Sequence, residues 1–152
     1  MSDDSQLADG EEHLSEQKEL LWRNAHPTWI VDGELTSQAF RPTPKDQQKL
    51  STAREDKVSA EDSFKEFTET FEFESVGVWA VSVGDVEKQG LRSIYDESSP
   101  STPKPCLKGH TSIDFTSVSN NQAKRIGGRL RDRAEARGRQ HPSSDESDSA
   151  AW

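Results

Sequence analysis

The run Ser75–Val83, SVGVWAVSV, is the best strand in the chain and sets the strongest constraint on how it can fold. Val76 and Val78 alternate with Trp79, Val81 and Val83, so both faces of the strand are apolar. A strand of that kind needs cover on both sides, which predicts a central position in a sheet. Gly77 in its interior predicts a bulge or the close approach of another group. Gly84 ends the strand, and Asp85–Gln89 has room for one helical turn stopped by Gly90.

Further strands are expected at Glu19–Asn24, Leu91–Tyr95 and His110–Phe115. In the first, Leu20 and Trp22 take one face and Leu21 and Arg23 the other; in the last, Ile113 and Phe115 share a face. Asp32-Gly33 predicts a turn between Trp29–Val31 and an extended piece from Thr36 to Arg41. Pro42 and Pro44 then stiffen a loop. Ser59 and Asp62 have capping-box spacing ahead of a helix whose Phe64, Phe67 and Phe71 repeat on one face, as core packing requires. Asp96–His110 carries three prolines and reads as a long loop. A final helix is expected from about Asn120 to Arg137, with Ala123, Ile126, Leu130 and Ala134 as its apolar stripe. Gly138 stops it, and Gly127-Gly128 weakens it by about 1 kcal/mol per glycine. The sum is an α+β fold: a small mixed or antiparallel sheet with two main helices.

Composition divides the chain. The apolar share of 30% is low and the charged share of 31% is high, but these averages mix two kinds of sequence. Residues 1–18 and 140–152 are acidic, Ser-rich and poor in large apolar side chains, and both are expected to be disordered tails. Residues 19–139 are left as a single domain, roughly 120 residues, enough for a modest core. The net charge of −9 argues against a general nucleic-acid binder. A single cysteine, Cys106, allows no internal disulfide. With no membrane-length apolar run and no basic start before an apolar stretch, the expectation is a cytoplasmic protein away from membranes.

The densest collection of reactive side chains lies between Leu20 and Ser51, where polar residues follow neither the helical nor the strand period. Ligand- or partner-binding candidates there are Arg23, His26, Trp29, Ser37, Phe40, Arg41, Lys45, Asp46 and Ser51. Histidine can exchange a proton near neutral pH, arginine suits phosphate or carboxylate, and serine or aspartate can orient hydroxyls. Asp96 and His110 join them because they flank the long loop at strand ends. A second constellation is the basic helix, with Arg125, Arg129, Arg133 and Arg137 around its polar side, able to grip phosphates or an acidic partner. Cys106 and His110 have a metal-compatible spacing, but two ligands are too few, so no metal and no cofactor is expected. Phosphate-binding glycine loops, nucleophile elbows and zincin motifs are not present.

The series HPTW, DG, TSQAFRPTPKD and KLS, followed by SVGVWAVSV and then YD, P and H, resembles a recurring pattern in small uncharacterised bacterial proteins, over about Leu21 to Gly138. That resemblance implies no activity. In layout the chain is also similar to compact ADP-ribosyltransferase-like domains. That similarity implies Arg23 or His26 acting with Ser37 or Ser51, without the late glutamate those domains use.

Three functions compete on this reading. The leading expectation is a small acidic accessory protein, antitoxin-, immunity- or defence-operon-like, that binds a protein partner. The second is a small enzyme or nucleotide-binding domain with a cleft around His26, Arg41 and His110. The third is nucleic-acid binding through the arginine-rich helix.

Overall fold

The computed structural model describes residues 7–42 and 48–142. Six of its strands make one antiparallel sheet: β1 Glu12–His13, β2 Leu20–Asn24, β5 Lys49–Arg54, β6 Val78–Ser82, β7 Arg92–Tyr95 and β8 His110–Asp114. Their spatial order is β1-β7-β8-β5-β2-β6. A small hairpin, β3 Ile30–Val31 with β4 Glu34–Leu35, turns at Asp32-Gly33 as the sequence implies. The α-helices among the described residues are α1 Ala60–Lys65, α2 Val83–Lys88 and α3 Asn120–Arg137. This is the expected α+β fold with a purely antiparallel main sheet.

Strand alternation gives that sheet two different faces. Leu21, Leu50, Val81 and Ile113 point to the first, where Phe40, Phe115, Ile126 and Leu130 complete the main core. Trp22, Ala53, Val78 and Ala80 point to the second, packed by Val58 and the flanking Phe64 and Leu107. Leu21 and Trp22 are adjacent in sequence and lie in different clusters, the separation expected of neighbours in a strand.

Two stretches expected as tails contribute to the sheet. Residues 7–18 include β1, which pairs with β7, and Leu14, which is buried in the main core. Low average hydrophobicity concealed a single apolar anchor, and backbone pairing needs no apolar side chain. At the other end, Gln140 N donates to Val78 O at 2.7 Å, and Val78 N donates to His141 O at 2.8 Å. Those bonds correct the placement of β6. It is buried on both faces as its composition demands, yet it stands at the edge of the sheet. Residues 140–141, with Arg137 donating to Ala80 O at 3.0 Å, close that edge. Gly77 permits the closure: a Cβ there would lie 2.8 Å from His141 O.

The piece expected to extend from Thr36 to Arg41 instead makes a short 3₁₀ turn, Ser37–Phe40. Ala39 and Phe40 are both buried in the main core, and consecutive residues of a strand would have pointed to opposite sides. The phenylalanine helix also departs from expectation. Ser59 caps it, accepting from Asp62 N at 3.1 Å, but α1 stops at Lys65 and a π turn, Glu66–Thr70, follows. Phe64 packs on the second-face cluster, while Phe67 and Phe71 are only partly covered and gather with exposed Phe73. The wider π turn breaks the helical period that would have aligned all three with the core.

The 18-residue α3 keeps its expected bounds, capped by Ser119 with Gln122 and ended at Gly138. It lies against the Ser37–Phe40 turn so closely that a Cβ on Gly127 would sit 3.1 Å from the carbonyl oxygens of both Ser37 and Phe40. Gly128 faces open space. On the same helix Arg133 and Arg137 reach the buried Asp85 at 3.2 and 3.1 Å. Asp85 also completes the capping box of α2 with Ser82. Burial opposes its charge, but the Ser82 N–H and Arg137 outweigh that and hold the carboxyl below its ordinary range. Glu19, bonded by Arg54 and Asp56 N, and Asp114, bonded by Thr116 and Arg92, are lowered against burial in the same way. Among the described residues no helix is long and apolar enough to cross a membrane.

Gly128→Ala should stabilise the protein by up to about 1 kcal/mol, whereas Gly127→Ala should destabilise it by about 1–3 kcal/mol; urea titration of the pair checks both. Carboxyls lowered by folding stabilise above their unfolded values, and that contribution disappears as pH falls through the folded ones. The thermal unfolding temperature should therefore fall progressively below about pH 4. Asp85→Asn should cost roughly 1.5–3 kcal/mol at pH 7 and reduce the acid dependence.

Candidate functional site

Three neighbouring strands place Asp96, His110 and Ser51 in a line on the second face of the sheet. β8 lies between β7 and β5, with Ala53 opposite His110 and Ser51 opposite Ser112. Asp96 follows β7 directly, and its N–H donates to His110 O at 3.1 Å, which continues the ladder by one step. Its carbonyl accepts from Ser99 N at 3.0 Å and from Thr102 Oγ1 at 2.8 Å, so the residue is fixed at both ends.

The side chains then connect. Asp96 Oδ1 lies 2.6 Å from His110 Nδ1, and its Oδ2 accepts from Ser112 Oγ at 2.6 Å. His110 Nε2 lies 3.1 Å from Ser51 Oγ. Asp96 and His110 are buried, while Ser51 is exposed. A carboxylate only accepts, so in the neutral imidazole Nδ1 carries the proton and Nε2 presents a lone pair to the serine hydroxyl. This is the geometry in which an imidazole can remove a proton from a hydroxyl while a carboxylate fixes its tautomer.

Ser51 opens onto a pocket of about 410 Å³. Phe67, Phe71 and Phe73 line one side of it. Pro103, Pro105, Cys106 and Leu107, from the loop between β7 and β8, line the other. Glu66 Oε1 accepts from Lys108 N at 2.8 Å and so ties the π turn to that loop. Lys104 braces the loop from within, donating to Ser99 O at 3.1 Å and Thr102 O at 3.3 Å. Burial pushes the Cys106 thiol up, which keeps it protonated near neutrality.

Other residues singled out by the sequence have different surroundings. Arg23 donates to Ser51 O at 2.9 Å and to Ala39 O at 2.7 Å, and its guanidinium lies 4.9 Å over the Trp29 ring. It thus braces the strand that carries the serine. His26 caps the Pro27–Trp29 turn, accepting from Thr28 N at 3.1 Å, and its Nε2 is 3.8 Å from Glu74. Ser37 and Phe40 belong to the turn beneath α3, with Phe40 fully buried, and Arg41 lies over Gly127. The structure therefore gives His26, Arg41 and His110 separate settings. Lys45 and Asp46 lie outside the described residues.

On the basic helix, Arg133 and Arg137 are engaged with Asp85, and Arg129 donates to Gln89 at 3.2 Å; Arg125 is exposed. Among the described residues no three His, Cys, Asp or Glu side chains converge to hold a metal ion. Sequence reasoning missed Ser112 and the phenylalanine wall, whose residues it assigned to the core. Ser112 was within reach, since alternation from His110 along β8 returns it to the same face. Comparison with protein-family models, curated proteins and solved structures found no match.

The hydrogen bonding predicts that neutral His110 is the Nδ1–H tautomer. Long-range ¹H–¹⁵N spectra of the imidazoles should show that form, and a dominant Nε2–H form would contradict the arrangement.

Proposed function

We propose that the pocket bounded by Phe67, Phe71, Phe73 and the 103–107 loop is a small-molecule site, and that the protein is an enzyme using His110 for proton transfer. One observation carries this reading. A buried imidazole has one nitrogen committed to a buried carboxylate and the other directed at an exposed hydroxyl, at the end of an apolar pocket. Its volume is at the small end of ligand pockets, and among the described residues its walls hold no arginine or lysine. An apolar body with a neutral polar group suits such walls better than a phosphate does. That weighs against a nucleotide at this position.

A second reading, binding of a protein partner, draws support from the large apolar side chains left exposed: Phe73 at 58%, Val31 at 55% and Val76 at 38%. Phe73 also belongs to the pocket wall, so a partner would insert an apolar side chain there.

The two readings separate in solution. Titration with benzamide and 3-phenylpropanamide, followed by ¹H–¹⁵N spectra, should move the signals of Phe67, Phe71, Leu107 and His110 together. Phe71→Ala should weaken this binding about tenfold, equivalent to roughly 1.4 kcal/mol. Absence of localised shifts at millimolar concentrations, or shifts confined to another surface, would remove the small-molecule reading and leave the partner.

A further inference from the structure

We infer that Ser51 is an acyl-accepting nucleophile and that the substrates are carboxylic esters or thioesters with a short apolar or aryl acyl group. The inference rests on the small-molecule reading above and extends it to a reaction.

Two serines lie near His110, and their bonding differs. Ser112 is buried and donates its proton to Asp96 Oδ2, so its hydroxyl is occupied in fixing the carboxylate. Ser51 is exposed, faces the pocket, and has its Oγ 3.1 Å from His110 Nε2. Its backbone is fixed by pairing with β8 and by Arg23, so the hydroxyl is presented on a rigid strand. Cys106 is the other nucleophile among the described residues of the wall, but burial pushes its thiol up and the free nitrogen of His110 is directed at Ser51 instead.

Attack of Ser51 Oγ on the carbonyl carbon forms the new C–O bond while His110 Nε2 takes the hydroxyl proton. The tetrahedral adduct expels the alcohol or thiol, which leaves with the proton from His110, and the serine is acylated. Water then attacks the acyl carbon and gives its proton to His110. Collapse releases the acid and returns that proton to Ser51. No electrons change hands, and water is the only co-reactant. Asp96 touches no reacting atom; it is a positioning residue that holds the imidazole tautomer. Among the described residues the walls carry no cation to neutralise a developing oxyanion, which directs the choice to esters with good leaving groups.

Phenylmethanesulfonyl fluoride is the direct probe, because its ring suits the phenylalanine wall and sulfonylation requires an activated hydroxyl. Treated full-length protein should carry one adduct, located by fragmentation to Ser51 within the tryptic peptide Leu50–Arg54. It should also hydrolyse 4-nitrophenyl butyrate. Ser51→Ala should abolish the adduct and lower hydrolysis at least 100-fold, with an unchanged melting profile showing that the fold survives. Asp96→Asn should slow hydrolysis at least tenfold and shift the His110 ¹⁵N signature toward the Nε2–H tautomer, a change that a merely structural role would not produce. Cys106→Ser should still be labelled at Ser51. An adduct on Cys106, or no adduct in a protein that still binds the amide fragments, would overturn Ser51 as nucleophile and leave the binding site standing. Failure of both labelling and fragment binding would overturn both.

Discussion

Strand β8 is hydrogen-bonded along both edges, to β5 and to β7, and the arrangement of the molecule depends on the register of that double pairing. Ile113 must face the main core, as must Phe115 just beyond the strand. Alternation then forces His110 and Ser112 to the other face, where Ser51 and Asp96 meet them. A slip of one residue would bury polar groups among Leu50 and Ile113 and expose the core residues, so hydrophobic burial on one face fixes polar geometry on the other. The polar line thus gains its precision from an apolar constraint that no member of the line supplies.

The surroundings show the same dependence of local chemistry on distant support. Arg23 uses one guanidinium to hold Ser51 O and Ala39 O while lying against Trp29, which links the opening segment to the serine strand. The pocket walls come from two separate irregular segments, joined through Glu66 and Lys108 N. Asp85 plays a parallel part on the far side. It caps α2 and receives two arginines of α3, so part of the basic helix is spent on internal cohesion.

Much of this was legible in the residues. Periodicity gave α3 its bounds, and alternation gave β2 and β8 their faces. Asp96 and His110 stood among the candidates because they flank the long loop at strand ends, and Ser51 because it belongs to the polar set of the opening segment, although the strand that carries it was not expected. Their convergence was not legible, because β5 and β8 are far apart in sequence and pairing partners cannot be read from a single chain. The edge position of β6 was hidden for a related reason. Two apolar faces report burial, while the group that covers an edge can be a distant loop backbone, here residues 140–141. The phenylalanines were misplaced because a π turn at Glu66–Thr70 interrupts the helical period. The charges of the basic helix looked like a binding surface because their buried partner, Asp85, lies on another element.

The central claim is that a carboxylate, an imidazole and an exposed hydroxyl, aligned by three strands, open onto an apolar pocket as one working unit. The most direct measurement is a crystal structure of the protein with phenylboronic acid, which becomes tetrahedral on bonding an activated oxygen and so mimics the tetrahedral adduct of acyl transfer. The account predicts boron bonded to Ser51 Oγ, with the phenyl ring among Phe67, Phe71 and Phe73 and His110 still bridging Asp96 and the serine. An empty pocket, or a His110 ring turned away from Ser51 at saturating ligand, would contradict it.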